Sequence, residues 1–201
     1  MTYTPPTRKI SLTLLRHGEN PLAGTFCGSS DPELTDAGWE MMQRRVEGRS
    51  WDQVISSPLK RCRLFAEKHF EPQIEPRFRE LDFGEWEAKT TDQVMAIAET
   101  QLRAFWENPI DNPPPGGESW GSLRGRVHEG LSDLFEHSEG QSVLIVSHAG
   151  AIRAMLCETM GVSYEASWSF SLPLAVLLQL TIYLEDDGKV RAQLHALEGQ
   201  P

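Results

Sequence analysis

The segment at residues 12–19, Leu-Thr-Leu-Leu-Arg-His-Gly-Glu, determines how the rest of the sequence is interpreted. The apolar run over residues 10–15 ends abruptly in a cation, an imidazole and a glycine, which is typical of a buried strand closed by a turn. Gly18 is expected to permit the sharp exit from this strand. Arg16 and His17 are therefore predicted to project from the carboxyl end of the strand, where open α/β sheets bind their ligands.

The pairing of Arg16 with His17 is informative because a guanidinium disfavours protonation of a neighbouring imidazole. A neutral His beside an Arg suits nucleophilic attack on an anion that the Arg already holds. The competing interpretation is a polar pair that only closes a strand. These two residues alone leave both interpretations open, so the rest of the chain has to decide between them.

Length and composition predict a single α/β domain over residues 1–201, with a core large enough to need no disulfides. The sequence is 39% hydrophobic and 24% charged, as is ordinary for a globular protein. Its formal net charge is −10 and no Lys/Arg-rich tract occurs, which argues against nucleic acid or an anionic membrane surface as the main partner. An anionic ligand therefore requires a local concentration of positive charge on an acidic protein.

Targeting and cysteine patterns favour a cytoplasmic protein. No apolar stretch approaches the length of a membrane span, and no apolar region typical of a signal peptide precedes the first strand. Cys27, Cys62 and Cys157 are far apart and form no Cys-x-x-Cys pair, which indicates reduced thiols.

Strand and helix patterns alternate along most of the chain, which predicts a mainly parallel sheet between layers of helices. Buried strands are predicted over residues 10–15, 52–56 and 142–147. Helices are predicted over residues 36–48, 58–68, 90–108, 118–138 and 151–160. Thr35 and Ser57 are expected to cap the first two of these helices, with Pro58 at the first helical position of the second.

Two further patterns complete the predicted fold. The helix over residues 90–108 has one apolar face, formed by Val94, Ile97, Ala98, Leu102 and Phe105. Residues 174–184 and 189–197 alternate around Asp186-Asp187-Gly188, which predicts a β-hairpin. The fold class is therefore an α/β three-layer sandwich with a mainly parallel central sheet flanked by helices and a C-terminal β-hairpin.

Polar residues follow the three predicted buried strands. Arg16 and His17 follow the first strand, Arg61 lies in the first turn of the helix after the second, and His148 follows the third. If these strands are parallel, their carboxyl ends meet at one edge of the sheet.

The helix that His148 begins adds free backbone N–H groups at Ala149 and Gly150, which favour an anion. Two His, two Arg and a helix N-terminus in one crevice predict a binding site for a phosphate group.

Other chemistry is not supported by motifs. No His pair with metal-ligand spacing and no added carboxylate occurs around His17 or His148, so no metal is expected. No phosphate-binding loop or dinucleotide fingerprint is present, so no cofactor is expected. Ser147 lacks the preceding Gly of a nucleophile elbow.

Three motifs, in this order, resemble the histidine phosphatase superfamily, also called phosphoglycerate mutase-like. They are Arg-His-Gly-Glu at residues 16–19, Ser-Ser-Pro-Leu-Lys-Arg at 56–61 and Ser-His-Ala-Gly at 147–150. Residues 27–35, 79–87 and 114–119 resemble its alpha-ribazole phosphatase branch, and the likeness extends from about residue 10 to residue 160. Two departures are Asn20, where Thr is common, and Ala88, where Gly is usual.

The resemblance implies a two-step mechanism. His17 attacks phosphorus and becomes a phosphohistidine, which water then hydrolyses. Arg16, Arg61 and His148 hold the phosphoryl oxygens, while Glu80 protonates the leaving alkoxide and later activates the water. No cofactor or metal is required.

The implied substrate is a small-molecule phosphate ester, alpha-ribazole 5'-phosphate of cobalamin assembly. Besides Arg16 and Arg61, the expected substrate-binding residues are Gly28, in the matching segment at 27–35, and Ala149, through its backbone N–H. Glu118 is expected to reach the ribose or base, although a plain helix start with an acidic first turn explains it equally well.

Three alternatives remain open at this point. A mutase would return the phosphoryl group to substrate rather than to water, and a broad-specificity phosphatase would hydrolyse many esters at comparable rates. A protein that only binds a phosphorylated ligand would show binding without turnover. The sequence does not fix the oligomeric state or the strand order.

Overall fold

The central feature of the structure, a computed structural model that describes residues 8–185 and 188–199, is one six-stranded sheet. Its strands are β1 (Arg8–Arg16), β2 (Gln53–Ser56), β3 (Gln73–Ile74), β4 (Ser142–Ser147), β5 (Leu177–Leu184) and β6 (Val190–Glu198). Their order across the sheet is β3-β2-β4-β1-β5-β6. The α/β class predicted from the sequence is confirmed.

Parallel and antiparallel pairing divide the sheet into two parts. Strands β3, β2, β4 and β1 pair with one another in parallel. Strand β5 is antiparallel to β1 and to β6, so the predicted C-terminal hairpin is confirmed. Asp186 and Asp187, at the centre of its predicted turn, lie outside the described residues.

The helices follow the predicted alternation with shifted boundaries. They are α1 (Asp36–Val46), α2 (Lys60–His69), α3 (Thr91–Glu107), α4 (Trp120–His137), α5 (Ala149–Met160) and the short α6 (Tyr164–Ser167). Thr35 caps α1 as predicted, accepting a hydrogen bond from Gly38 N–H. The predicted cap of α2 is wrong, because that helix has Leu59 at its N-cap and Pro58 precedes it. No helix within the described ranges is both long and apolar enough to cross a membrane.

Two hydrophobic clusters, one on each face of the sheet, establish the three layers. Strand β4 shows the alternation that this requires, since Val143 and Ile145 join one cluster and Leu144 and Val146 join the other. The first cluster packs the sheet against α4 and α5 through side chains that include Leu123, Val127, Ile152 and Met155. The second packs it against α1 and α2 through side chains that include Met42, Val46, Phe65 and Ala66.

Helix α3 departs from the predicted single apolar face. Ala98 has non-helical dihedral angles (φ −149°, ψ 40°), so the two halves of the helix are out of phase. Val94 and Leu102 are buried as expected, but Ile97 is 67% exposed. Ile97 therefore does not share the face through which Val94 and Leu102 pack against Trp86.

The exit from β1 depends on a close backbone contact with α1. A Cβ atom on Gly18 would lie 2.3 Å from the carbonyl oxygen of Gly38, and one on Gly38 would lie 2.1 Å from the carbonyl oxygen of Glu19. Gly18 is not among the described residues with positive φ. The reason for glycine here is therefore the close approach of two chain segments and not the conformational freedom inferred from the sequence.

Ala88, which stands where the resembled family usually has Gly, has a φ of +59°. A side chain in the left-handed region costs roughly 1–2 kcal/mol, and Ala→Gly returns about 0.4–1 kcal/mol of that through greater freedom of the unfolded chain. We therefore expect Ala88→Gly to stabilise the fold by about 0.5–1 kcal/mol, and to raise the melting temperature by roughly 2 °C, in thermal unfolding.

Ala175 provides the comparison for this experiment, since its φ is +53° but its side chain is fully buried. Ala175→Gly also relieves strain but removes a packed methyl group, so no net gain is expected. A lower melting temperature for Ala88→Gly than for the wild type would show that the left-handed conformation is not a source of strain.

Candidate active site

The candidate site lies where β1, β4 and β2, three neighbouring parallel strands, end. The structure brings the side chains that follow these strands together, since the ring centroids of His17 and His148 are 5.2 Å apart. Arg61, on the first turn of α2, donates from Nε to His148 Nδ1 at 3.2 Å. The convergence expected from parallel pairing therefore occurs, with His17 and Arg16 in the wall of a cavity of about 500 Å³.

His17 is held in one tautomer. Its Nδ1 lies 2.8 Å from the carbonyl oxygen of Gly18, and because a carbonyl only accepts, Nδ1 carries the proton. The lone pair is therefore on Nε2. Burial, and then the positive charges of Arg61 and Arg16, hold the pKa of His17 well below its ordinary value. The ring is a neutral imidazole with a lone pair available for bonding.

Arg16 lines the cavity and has an unsatisfied donor. Its Nη1 donates to the carbonyl oxygen of Leu172. Its Nε is buried and has no hydrogen-bond partner among the described residues. Because a buried N–H without a partner is unfavourable, this group is suited to an anion in the cavity.

Arg61 is fully buried, and protein atoms accept from four of its five N–H groups. Besides His148, the acceptors are the carbonyl oxygens of Ser30 (2.6 Å), Cys27 (3.1 Å) and Gly28 (2.9 Å). The structure therefore does not place this guanidinium in the cavity wall as a free fork for phosphate. It lies close enough to His17 for its charge to lower the pKa of that ring, and one of its N–H groups has no acceptor among the described residues.

His148 is also fully buried, and both of its ring nitrogens are occupied. Since Nδ1 accepts from Arg61, the proton is on Nε2, which donates to Ser57 Oγ at 2.6 Å. Burial, followed by the charge of Arg61, holds the pKa of His148 well below its ordinary value. Ser57 was predicted as a helix cap, and the only sequence signal for its contact with His148 was its place in the motif at 56–61.

Glu80 is buried at the N-terminus of α5. Its carboxylate accepts hydrogen bonds from the N–H groups of Leu81 (2.9 Å), Gly150 (3.1 Å) and Ala151 (3.2 Å). The group bound by the Gly150 N–H at this helix terminus is thus the carboxyl group of a protein side chain, which corrects the expectation that this N–H would bind the ligand. Ala149 lines the cavity, as does Glu80.

Glu118 is not brought to the cavity. Both of its oxygens accept from Arg126, at 2.7 Å each, and the pair is largely buried. Arg126 also donates to the carbonyl oxygens of Arg77 (2.6 Å), Arg79 (2.7 Å) and Glu80 (3.0 Å). Glu118 thus fixes the Arg that holds the backbone on which Glu80 is carried.

Gly28 is likewise absent from the described residues that line the cavity. Its carbonyl oxygen binds Arg61 and its N–H binds Glu87. A Cβ atom at this position would lie 1.9 Å from the carbonyl oxygen of Leu81. Glycine is therefore required for the packing of this loop.

Aromatic and aliphatic side chains form most of the cavity wall. The aromatic ones include Phe26, Phe83, Phe105, Trp106, Tyr164 and Trp168. Arg153, which sequence reasoning missed, also lines the cavity, but it donates to the carbonyl oxygens of Ser167 and Phe170 and stacks on Trp168 at 3.9 Å. The cavity thus combines a polar end, formed by His17 and Arg16, with an apolar wall.

The expectations for metal ions and cysteines concern residues whose positions the structure also gives. Within residues 8–185 and 188–199, no group of three or more His, Cys, Asp or Glu is placed to hold a metal ion. Cys27, Cys62 and Cys157 are free thiols.

A comparison with protein families decides what kind of protein carries this site. The family model described as "Histidine phosphatase superfamily (branch 1)" matches residues 12–195, which is nearly the whole chain. The chain belongs to the histidine phosphatase superfamily. It is a phosphatase, and the resemblance drawn from the motifs is confirmed.

Relatives of this histidine phosphatase are named for different substrates. Phosphoserine phosphatase 1 of Hydrogenobacter thermophilus is 33% identical over 172 residues, covering 80% of this chain and 81% of the relative. Adenosylcobalamin/alpha-ribazole phosphatase of Escherichia coli K12 is 29% identical over 174 residues, covering 80% and 84%. The crystal structure of the alpha-ribazole phosphatase from Shigella flexneri superposes with a TM-score of 0.79 at 26% identity, covering 94% of this chain and 96% of that one.

The two buried imidazoles of this histidine phosphatase predict how its stability depends on pH. Both stay neutral in the folded state, whereas in the unfolded chain they take up protons below about pH 6.5. The unfolded state then binds more protons, so stability falls as the pH drops from about 6.5 to about 5, by up to about 1.4 kcal/mol per pH unit for each His.

Urea unfolding over this pH range measures the effect. His17→Asn is expected to remove about half of the part of the slope that His17 and His148 contribute, since one of these two rings is lost. His137→Gln, at an exposed position on α4, is the control and is expected to leave the slope unchanged. A wild-type free energy of unfolding that is flat between pH 6.5 and 5 would contradict the assignment of neutral rings.

Proposed function

We propose that this histidine phosphatase hydrolyses phosphate monoesters through a phosphohistidine on His17. The observation that carries the proposal is the state of that ring: it is buried and neutral, with its proton fixed on Nδ1 by Gly18 and its Nε2 lone pair free. In the first step His17 Nε2 bonds to phosphorus while the ester O–P bond breaks. In the second step water bonds to phosphorus, the P–N bond breaks, and inorganic phosphate is released.

Positive charge near His17 stabilises the phosphoryl group as negative charge redistributes. Arg16 binds a phosphoryl oxygen through its unpartnered Nε–H, and Ala149 adds a backbone N–H at the start of α5. Arg61 acts through its charge and its remaining N–H. A direct bond from His148 to a phosphoryl oxygen requires Ser57 to release Nε2.

Glu80 is assigned as the acid and base of the two steps. Of the described residues that line the cavity, it is the only carboxylate, whereas the neighbouring Asp82 and Glu85 lie outside the lining. Glu80 gives a proton to the leaving oxygen in the first step and takes one from water in the second. Three backbone N–H groups fix the orientation of its carboxyl group.

The substrate that fits best is alpha-ribazole 5'-phosphate, which would place the enzyme in cobalamin biosynthesis in the cytoplasm. The aromatic wall suits a planar, uncharged base attached to the sugar. Phosphoserine is the second candidate, favoured by the name of the 33% identical relative. Its carboxylate and ammonium groups would face this wall, where the Arg153 guanidinium is already bound to two carbonyl oxygens and Trp168.

Phosphate release from a panel of esters tests this proposal. The panel contains alpha-ribazole 5'-phosphate, O-phosphoserine and 3-phosphoglycerate, the last with and without a bisphosphorylated primer. Burying an aromatic group is worth about 1.5–3 kcal/mol, so kcat/KM is expected to be about 10–100-fold higher for the ribazole ester. His17→Asn is the control and is expected to release no phosphate from any ester.

Each alternative predicts a different result from the same panel. A preference for phosphoserine would replace the first candidate by the second, and comparable rates for all esters would indicate broad specificity. Transfer of the phosphoryl group to 3-phosphoglycerate that depends on primer would indicate a mutase. Saturable binding without phosphate release would contradict hydrolysis altogether.

A further inference from the structure

The carboxylate of Glu87, which is not among the cavity-lining residues, is bound by a neighbouring loop. Its Oε1 accepts from the N–H groups of Gly28 (3.1 Å), Ser29 (2.8 Å) and Phe83 (3.0 Å). Its Oε2 accepts from the N–H groups of Gly28 (3.2 Å) and Ser30 (3.1 Å) and from the Ser30 hydroxyl (2.6 Å). Three successive backbone N–H groups therefore converge on one carboxylate, as in the backbone concavities that bind anions.

The opposite edge of this loop holds Arg61, because the carbonyl oxygens of Cys27, Gly28 and Ser30 accept from its guanidinium. In a trans peptide unit the carbonyl and the N–H point in opposite directions. The Cys27 carbonyl shares such a unit with the Gly28 N–H, and the Gly28 carbonyl shares one with the Ser29 N–H. Anchoring these N–H groups on a carboxylate therefore turns the carbonyl oxygens toward the guanidinium.

The hydrogen bonds also keep Glu87 ionised. Burial alone would raise its pKa, but the hydrogen bonds from Ser30, Phe83 and Ser29 outweigh burial, and the pKa lies below its ordinary value. The loop thus has a fixed negative charge on one side and a fixed positive charge on the other. Because two rigid peptide units join the two sides of the loop, the position of the Glu87 carboxylate determines the position of the Arg61 guanidinium.

We infer that Glu87 is a positioning residue for phosphoryl transfer, because it fixes the loop at residues 27–30 whose carbonyl oxygens hold Arg61 against His148. The inference rests on the proposed function, since Arg61 affects turnover only if the phosphoryl group binds at His17. Glu87 touches none of the reacting atoms and acts through Arg61.

A glutamine cannot replace Glu87 in this role. Both carboxylate oxygens accept backbone N–H groups, so either orientation of an amide places its NH₂ group against N–H donors. A displacement of about 1 Å at a catalytic group can reduce turnover by about 10²-fold. We therefore expect Glu87→Gln to lower kcat on p-nitrophenyl phosphate by about that factor, with a smaller change in KM.

Glu85→Gln is the matched control, since Glu85 is an exposed carboxylate two residues away. It removes the same charge and is expected to change kcat by no more than about twofold. Equal effects of the two variants would overturn the inference.

A double-mutant cycle with Arg61→Lys separates positioning from general loosening of the fold. If Glu87 acts through Arg61, Glu87→Gln adds little further loss in the Arg61→Lys background. Multiplication of the two single losses would show that Glu87 acts elsewhere, and would overturn the inference. Thermal unfolding of all four proteins establishes that each is folded at the assay temperature.

Two further measurements keep the inference testable if a variant or the proposed function fails. Should Glu87→Gln not fold, Glu87→Asp, which keeps the charge but shortens the reach, is expected to lower kcat while leaving KM nearly unchanged, and wild-type kcat would overturn the inference. Should the wild type hydrolyse no ester, the proposed function fails, and the same cycle is measured as binding of orthovanadate. Coupled losses of vanadate affinity would still support positioning, and independent losses would overturn it.

Discussion

A guanidinium with no exposure to solvent donates to His148 in this protein, and the need to stabilise its buried charge constrains the loop and the rings around it. Burial of an ion costs several kcal/mol unless hydrogen bonds compensate, and Arg61 makes four, to one imidazole and three carbonyl oxygens. Its charge, together with burial, keeps His17 and His148 neutral. The proposed attack on phosphorus needs the neutral form, so the buried cation also keeps the ring in the state that the proposal requires.

The carboxyl group of Glu80 is held in the site in a comparable way. Glu80 is oriented by the N-terminus of α5, and the backbone that carries it is held by Arg126, which Glu118 fixes in turn. Nucleophile and carboxylate thus come from segments about sixty residues apart and meet because β1 and β4 are adjacent and parallel. On a protein of net charge −10, Arg16 and Arg61 supply positive charge close to His17.

The sequence was sufficient for the sheet and for the positions of His17, Arg61 and His148, because buried parallel strands place their carboxyl ends together. It was insufficient for Glu118 and for Gly28, whose partners depend on which distant segments pack against them. The sequence pattern also did not predict the kink at Ala98, because no Pro or Gly occurs within that helix. Motifs show which residues belong to a site, whereas pairing among buried polar groups is determined by the tertiary structure.

The central claim is that His17 forms a bond to phosphorus before water does, and a rapid-quench experiment on Glu80→Gln tests it directly. With p-nitrophenyl phosphate, whose leaving group hardly needs a proton, the first step should proceed while hydrolysis lacks its base. The prediction is a burst of about one nitrophenolate per active site, with an acid-labile, alkali-stable phosphoryl group that peptide mapping assigns to His17. Nitrophenolate and phosphate released together without a burst, or a phosphoryl group on another residue, would contradict it.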